Sequence, residues 1–212
     1  MILKLIVLSL YFSILLGIGY FASRRVTNIT DYYVGGKKLG YWIAALSARS
    51  TGESGWLLIG VTGMGALMGF SAFWIVVGEV LGVWISWQFM AKKFKRMTDE
   101  YNSITIPDFL VSHFKSTTHL IRIVSATALS LFVVIYVSAQ IDITGKTFES
   151  FLGFNYYTGI TIGFGIVVLY IFSGGFLAVA WSDFFQGSLM FIGLLLLPVV
   201  AYFSVSTDVS LI

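Results

Sequence analysis

The chain has 212 residues, of which 58% are hydrophobic and 11% charged, and its mean hydropathy is +0.90. Soluble globular domains carry about 25% charged residues, so this composition reads as an integral membrane protein. The net charge of +3 comes from basic residues gathered in two loops between apolar stretches, which argues against nucleic-acid binding, and the absence of cysteine excludes disulfide frameworks, cysteine-ligated zinc and thiol nucleophiles.

A membrane-crossing helix needs about 20 apolar residues. Six segments of that kind are predicted, at 5–23, 41–67, 71–90, 123–144, 158–176 and 184–203, within a single transmembrane domain covering 1–212. The first follows Lys4 but is long for the apolar core of a secretion signal and ends in Ser23-Arg24-Arg25 without a small-x-small cleavage pattern, so it reads as a retained helix. After it come Arg24, Arg25, Lys37 and Lys38. The segment 91–120, after the third helix, carries Lys92, Lys93, Lys95, Arg96 and Lys115. Short basic loops stay cytoplasmic, which places the N-terminus outside, both basic loops inside and the C-terminus outside a cell membrane.

Within 91–120, Thr105-Ile106-Pro107-Asp108 has the form of a helix start: a capping hydroxyl, a proline for the first turn and a carboxylate that complements the helix dipole. Pro198 falls inside the sixth helix, removes one backbone bond and is expected to bend it. The chain is expected to be the N-terminal part of a longer membrane protein.

The second apolar segment contains Arg49-Ser50-Thr51-Gly52-Glu53-Ser54-Gly55-Trp56. Charges, hydroxyls and glycines are costly in lipid unless they line a cavity or bind something. Arg49 and Glu53 are four residues apart and share a helix face, so they can pair. A helix interrupted around Gly52 would free main-chain carbonyls of Ser50 and Glu53 for a cation, with Ser54, Gly55 and Trp56 toward a solute. The competing reading is an ion pair that only locks two helices.

Glu79 and Asp142 are further intramembrane carboxylates, either part of an ion path or second partners of Arg49 in a buried network. Tyr136 and Gln140, four apart on one helix, suit hydrogen bonding to a solute or to a neighbouring helix. Asp183 follows Trp181-Ser182 at the expected start of the sixth helix, where an N-cap explains it. Gly60, Gly63, Gly65 and Gly69 do not follow a nucleotide-binding pattern and read as sites of close helix packing. His113 and His119 lack metal-ligand spacing, and no hydrolytic triad or carboxylate pair is visible. No enzyme activity and no cofactor is expected.

Four stretches in this order carry a resemblance: Asp31–Gly40, Ala45–Ala48 leading to Ser54–Leu58, Ile104–Phe109 and Gly174–Asp183. Together they resemble the N-terminal part of the sodium:solute symporter family, especially its proline branch. The resemblance implies an all-α, LeuT-like inverted-repeat transporter, here an extra N-terminal helix plus the first five-helix repeat. It implies sodium held by the carbonyls of Ser50 and Glu53, with hydroxyl partners on a later helix. It implies substrate against Ser54, Gly55, Trp56 and Tyr136, and a part for Asp183 in sodium passage. The partners it implies are sodium, a small polar solute such as an amino acid, and the bilayer. Proline-type members carry Asp where Gly52 stands and an apolar residue at Glu53, so a proton-coupled carrier using Glu53 is the alternative, and a symporter-like sensor domain is another.

Overall fold

The computed structural model describes residues 2–37, 39–55 and 60–209. Among these the backbone is helical or turn, with no strand. The helices are α1 (Ile2–Ser23), α2 (Ile29–Val34), α3 (Tyr41–Gly55), α4 (Thr62–Met68), α5 (Phe73–Ile85), α6 (Lys92–Glu100), α7 (Ile106–His113), α8 (Leu120–Leu152) and α9 (Tyr156–Val209). Four stretches among the described residues are long and apolar enough to cross a membrane: Ile2–Ser23, Thr62–Glu100, Leu120–Leu152 and Tyr156–Ser204. Large apolar side chains such as Phe132, Val134, Leu195 and Phe203 stand exposed along them, the surface that a bilayer solvates. The protein is a multi-pass membrane protein.

The chain divides into two compact units, Met1–Glu53 with Gly165–Ile212, and Ser54–Phe164. In the first, α1 packs on the Gly165–Phe185 stretch of α9. Leu15, Ala22, Tyr170 and Ala178 are its buried centre, with Tyr11, Phe12 and Ile166 beside them. Small residues set the spacing, because lipid offers no hydrophobic drive between helices and close van der Waals contact must supply the adhesion. A Cβ on Gly19 would stand 2.7 Å from Tyr170 Cβ, and one on Gly174 would stand 3.0 Å from Ala22 Cβ.

The expected helices at 158–176 and 184–203 fall in the two parts of α9, which meet at a break at Gly175 with φ 56 and ψ −148, so the second part begins earlier than 184. That conformation is open to glycine and closed to residues with a Cβ. The break receives α2: a Cβ on Gly175 would lie 2.6 Å from the Tyr32 carbonyl oxygen. The Tyr32 hydroxyl also donates to the Ile171 carbonyl at 3.5 Å. α2 itself starts where the Asn28 side chain accepts the Asp31 N–H at 2.7 Å and stops at Gly35, φ 60. Helical dihedrals continue through Pro198, so the departure from helix falls at the glycine and not at the proline.

In the second unit, α8 and the first turns of α9 form a hairpin closed by Gly153, φ 70. Glycines again carry the contact: a Cβ on Gly145 would meet Tyr156 Cε2 at 2.6 Å, and one on Gly163 would meet Thr144 Cγ2 at 2.6 Å. At Gly63, Gly65 and Gly69 no described atom of another element lies within 4 Å of a built Cβ. Gly69 instead takes φ 58 at the turn between α4 and α5, near the break expected at 68–70. α7 begins as its sequence predicts: the Thr105 hydroxyl accepts the Asp108 N–H at 3.2 Å and Pro107 sits in the first turn. Asp108 also pairs with Arg122 on α8 at 3.2 Å.

The Gly175 geometry sets an expected outcome. Gly175→Ala must adopt a disfavoured φ and displace Tyr32, costing roughly 1–3 kcal/mol. Gly165→Ala, in a helical stretch of α9 where no other element stands within 4 Å, should instead be neutral or stabilising, by up to about 1 kcal/mol. Thermal unfolding of the detergent-purified variants checks both.

Candidate functional site

The polar cluster of the first unit lies where α3 meets α9. The Ser47 hydroxyl donates to Asp183 Oδ2 at 2.6 Å, and the Ser50 hydroxyl donates to the Asp183 carbonyl at 3.2 Å. Ser47 and Ser50 are three apart and so share one face of α3. Gly187, one turn beyond Asp183, is what lets that face in: a Cβ there would lie 2.5 Å from Ser50 Oγ and 3.6 Å from the Leu46 carbonyl. Asp183 is thus an interior residue of α9 bonded across to α3, and the N-cap expected of it is not what the structure shows.

One turn along α3, Arg49 and Glu53 form the expected i,i+4 ion pair through Glu53 Oε1. The two ends differ in surroundings. The Arg49 side chain is 42% exposed and that of Glu53 only 5%. Glu53 Oε2 is buried and has no hydrogen-bond partner among the described residues. An unpartnered buried carboxylate oxygen is costly, roughly 1–3 kcal/mol or more when charged, and it is the kind of atom that a hard cation or a proton satisfies.

The interruption expected around Gly52 is not present. α3 is helical from Tyr41 through Gly55, so the Ser50 carbonyl lies within the helical ladder and is not freed by unwinding. The physical reason is that a glycine in a helix costs only about 1 kcal/mol against alanine, whereas a break in lipid must satisfy several backbone groups. Trp56 lies outside the described residues, as do 57–59. Glu53 does not face lipid: the whole residue is 4% exposed.

In the second unit, the Gln140 side-chain oxygen accepts the Gly55 N–H at 3.2 Å. A Cβ on Gly55 would lie 2.8 Å from Ile143 Cδ1, so glycine is needed for that backbone to reach α8. Tyr136 stands one turn before Gln140 on α8 and is 44% exposed. Ser54 precedes Gly55 in the last turn of α3. Asp142 is held by Lys146 at 2.7 Å and by the Tyr156 hydroxyl at 2.8 Å, a local clasp between α8 and the start of α9. Those partners account for its carboxylate. Glu79 lies in the middle of α5 and is half-buried.

Sequence reading did not single out Ser47 as a site residue or Gly187 at all. Ser47 lies three residues before Ser50, so the face was legible once Ser50 was chosen. Gly187 carries no local signal, because its function is defined by the atom that approaches it. Among the described residues no group of three or more His, Cys, Asp or Glu is placed to hold a metal ion.

The profile of the sodium:solute symporter family matches residues 32–212. Over 187 residues the chain is 46% identical to the high-affinity proline transporter of Bacillus subtilis (strain 168), covering 88% of this chain and 40% of that protein. It is 42% identical over 190 residues to the sodium/proline symporter of Escherichia coli (strain K12), covering 89% and 38% respectively. It is 39% identical over 199 residues to the osmoregulated proline transporter of Bacillus subtilis (strain 168), covering 93% and 40%. The chain therefore spans about 40% of the length of these curated relatives. No solved structure matches.

The fit at Gly187 is testable. Gly187→Ala should lower stability by about 1–3 kcal/mol through overpacking against Ser50. Adding Ser50→Ala removes the clashing oxygen and should recover most of that loss, so a double-mutant cycle on thermal unfolding will show strong non-additivity.

Proposed function

The chain belongs to the sodium:solute symporter family, and from that premise we propose that it is part of a secondary active transporter that couples sodium entry to uptake of a small polar solute, an amino acid of the proline type. The observation that carries the ion half of this reading is Glu53, a buried carboxylate with one oxygen on Arg49 and the other without a hydrogen-bond partner among the described residues. Sodium is a hard cation that prefers oxygen ligands; the α3–α9 interface offers the Ser47 and Ser50 hydroxyls and the Asp183 carboxylate, and Glu53 follows Ser50 by three residues on α3.

In this reading Ser50, Glu53 and Asp183 form the ion-binding set. The Glu53 carboxylate takes the part that unwound carbonyls of Ser50 and Glu53 were expected to play, because the helix stays intact at Ser50. The solute contacts Ser54, Gly55 and Trp56, with Tyr136 and Gln140 on α8. Gln140 already accepts a main-chain N–H from Gly55, so a solute carboxylate or amide that takes over that contact exchanges one hydrogen bond for another at little cost. Arg49 screens Glu53 until a cation replaces it, while Glu79 and Asp142 contribute to the polar network of their own helices.

The remaining architecture follows the family. We take α1 as the extra N-terminal helix and the helices from α3 onward as the first half of a LeuT-like inverted repeat. The N-terminus lies outside and the basic segments 24–38 and 91–120 lie in the cytoplasm, as the distribution of lysine and arginine favours. Proline transport in the names of the relatives weighs against a sensor domain.

The test is uptake of labelled proline by the full-length carrier in proteoliposomes. An inward sodium gradient should drive accumulation, and a proton gradient alone should not. Glu53→Gln should raise the sodium concentration for half-maximal uptake by about tenfold or more, the equivalent of one charge-assisted contact. Uptake driven by protons and indifferent to sodium would replace this reading with proton carriage by Glu53. An unchanged sodium dependence in Glu53→Gln would reduce Glu53 to a structural partner of Arg49.

A further inference from the structure

The first unit contains a second polar feature that the transport reading does not use. Arg25, Asp31, Leu39, Ile43, Leu177 and Trp181 line an open cavity of about 440 Å³ just past the last residue of α1. We propose that this cavity is a binding site for the headgroup of an anionic phospholipid.

Four observations meet there. The Arg25 guanidinium lies over the Trp181 ring, 5.0 Å from its centroid, close enough for a cation–π contact that fixes the planar group while leaving N–H donors at its edge. Among the described residues no carboxylate forms an ion pair with Arg25. The acid that shares the lining, Asp31, has its Oδ2 taken up by the Thr27 N–H at 3.1 Å and the Thr27 hydroxyl at 2.7 Å, which ties that oxygen to the turn that starts α2. The other walls are apolar: Leu39, Ile43, Leu177 and the face of Trp181.

A guanidinium fork above apolar walls matches an amphiphile better than a soluble anion. Arginine recognises a phosphate diester through paired hydrogen bonds, and the apolar walls accept the glycerol and the first acyl carbons. The depth also fits. α1 is one of the stretches long and apolar enough to cross a membrane, and it ends at Ser23, two residues before Arg25. That is where headgroups lie. Arg24 and Lys37 in the same segment add positive charge, and basic pockets at the end of membrane helices are a known way to select anionic lipid.

The experiment is native mass spectrometry of the full-length protein in a neutral detergent, titrated with equal concentrations of phosphatidylglycerol and phosphatidylcholine. The wild type should retain phosphatidylglycerol about fivefold better than phosphatidylcholine, the preference that one interfacial arginine supplies. Arg25→Gln should abolish that preference. Lys95→Gln removes one charge outside the cavity and should leave it intact. If Arg25→Gln does not yield folded protein, Trp181→Leu removes the ring under the guanidinium and should weaken retention in the same direction. Equal retention of the two lipids by the wild type, or equal losses in Arg25→Gln and Lys95→Gln, would overturn the proposal. Displacement of the lipid by millimolar inorganic phosphate would also overturn it, by showing a site for a free anion.

Discussion

The hydrogen bond from Ser47 to Asp183 places a carboxylate inside an apolar helix and ties two distant parts of the sequence together. A carboxylate in a membrane span is tolerated only with internal partners. Ser47 supplies one, and the Ser50 hydroxyl on the neighbouring carbonyl adds a second tie at the same point. These bonds require the backbones of α3 and α9 to approach closely, and the absence of a side chain at Gly187 makes that approach feasible. The polar chemistry of the first unit therefore rests on a steric condition. Glu53, one turn and a half from Ser47 on the same helix, inherits its burial from a helix that is already held in place.

The same condition recurs elsewhere. α1 meets α9 over Gly19, Ala22, Gly174 and Ala178, and α8 meets the start of α9 over Gly145, Gly159 and Gly163. Each of these glycines faces a side chain or carbonyl of the neighbouring helix closer than an ordinary carbon contact. The composition is uniformly apolar, so burial of apolar area cannot choose between helix faces as it does in water. Shape and hydrogen bonding make the choice. Gly175 adds a conformational demand to the steric one, since its φ of 56 turns α9 where α2 docks.

What was legible in the sequence was what local chemistry dictates. The extent of α1, the capped start of α7 at Thr105, the turn near Gly69 and the pairing of Arg49 with Glu53 all follow from residues within one or two turns of each other. The continuity of α3 through Gly52 was not legible, because a glycine beside charged residues reads equally as a break or as a helix position, and the cost of breaking a helix in lipid decides between them. Asp183 read as a helix start for a related reason. Without Ser47 in view, a carboxylate after Trp181-Ser182 has no partner except free amides. The glycines that pack were hidden among 22 in the chain, since close approach is a property of two surfaces and a sequence displays one.

The Arg49–Glu53 pair has a consequence for ion recognition. Its guanidinium is joined to the carboxylate by one turn of helix, so it is a counter-ion present at a fixed and high effective concentration whatever the bath contains. If Glu53 takes up an ion as proposed, that ion would compete with the tethered guanidinium before it gained any contact of its own. Occupancy would then rise only when external ion is abundant, with the arginine setting the threshold.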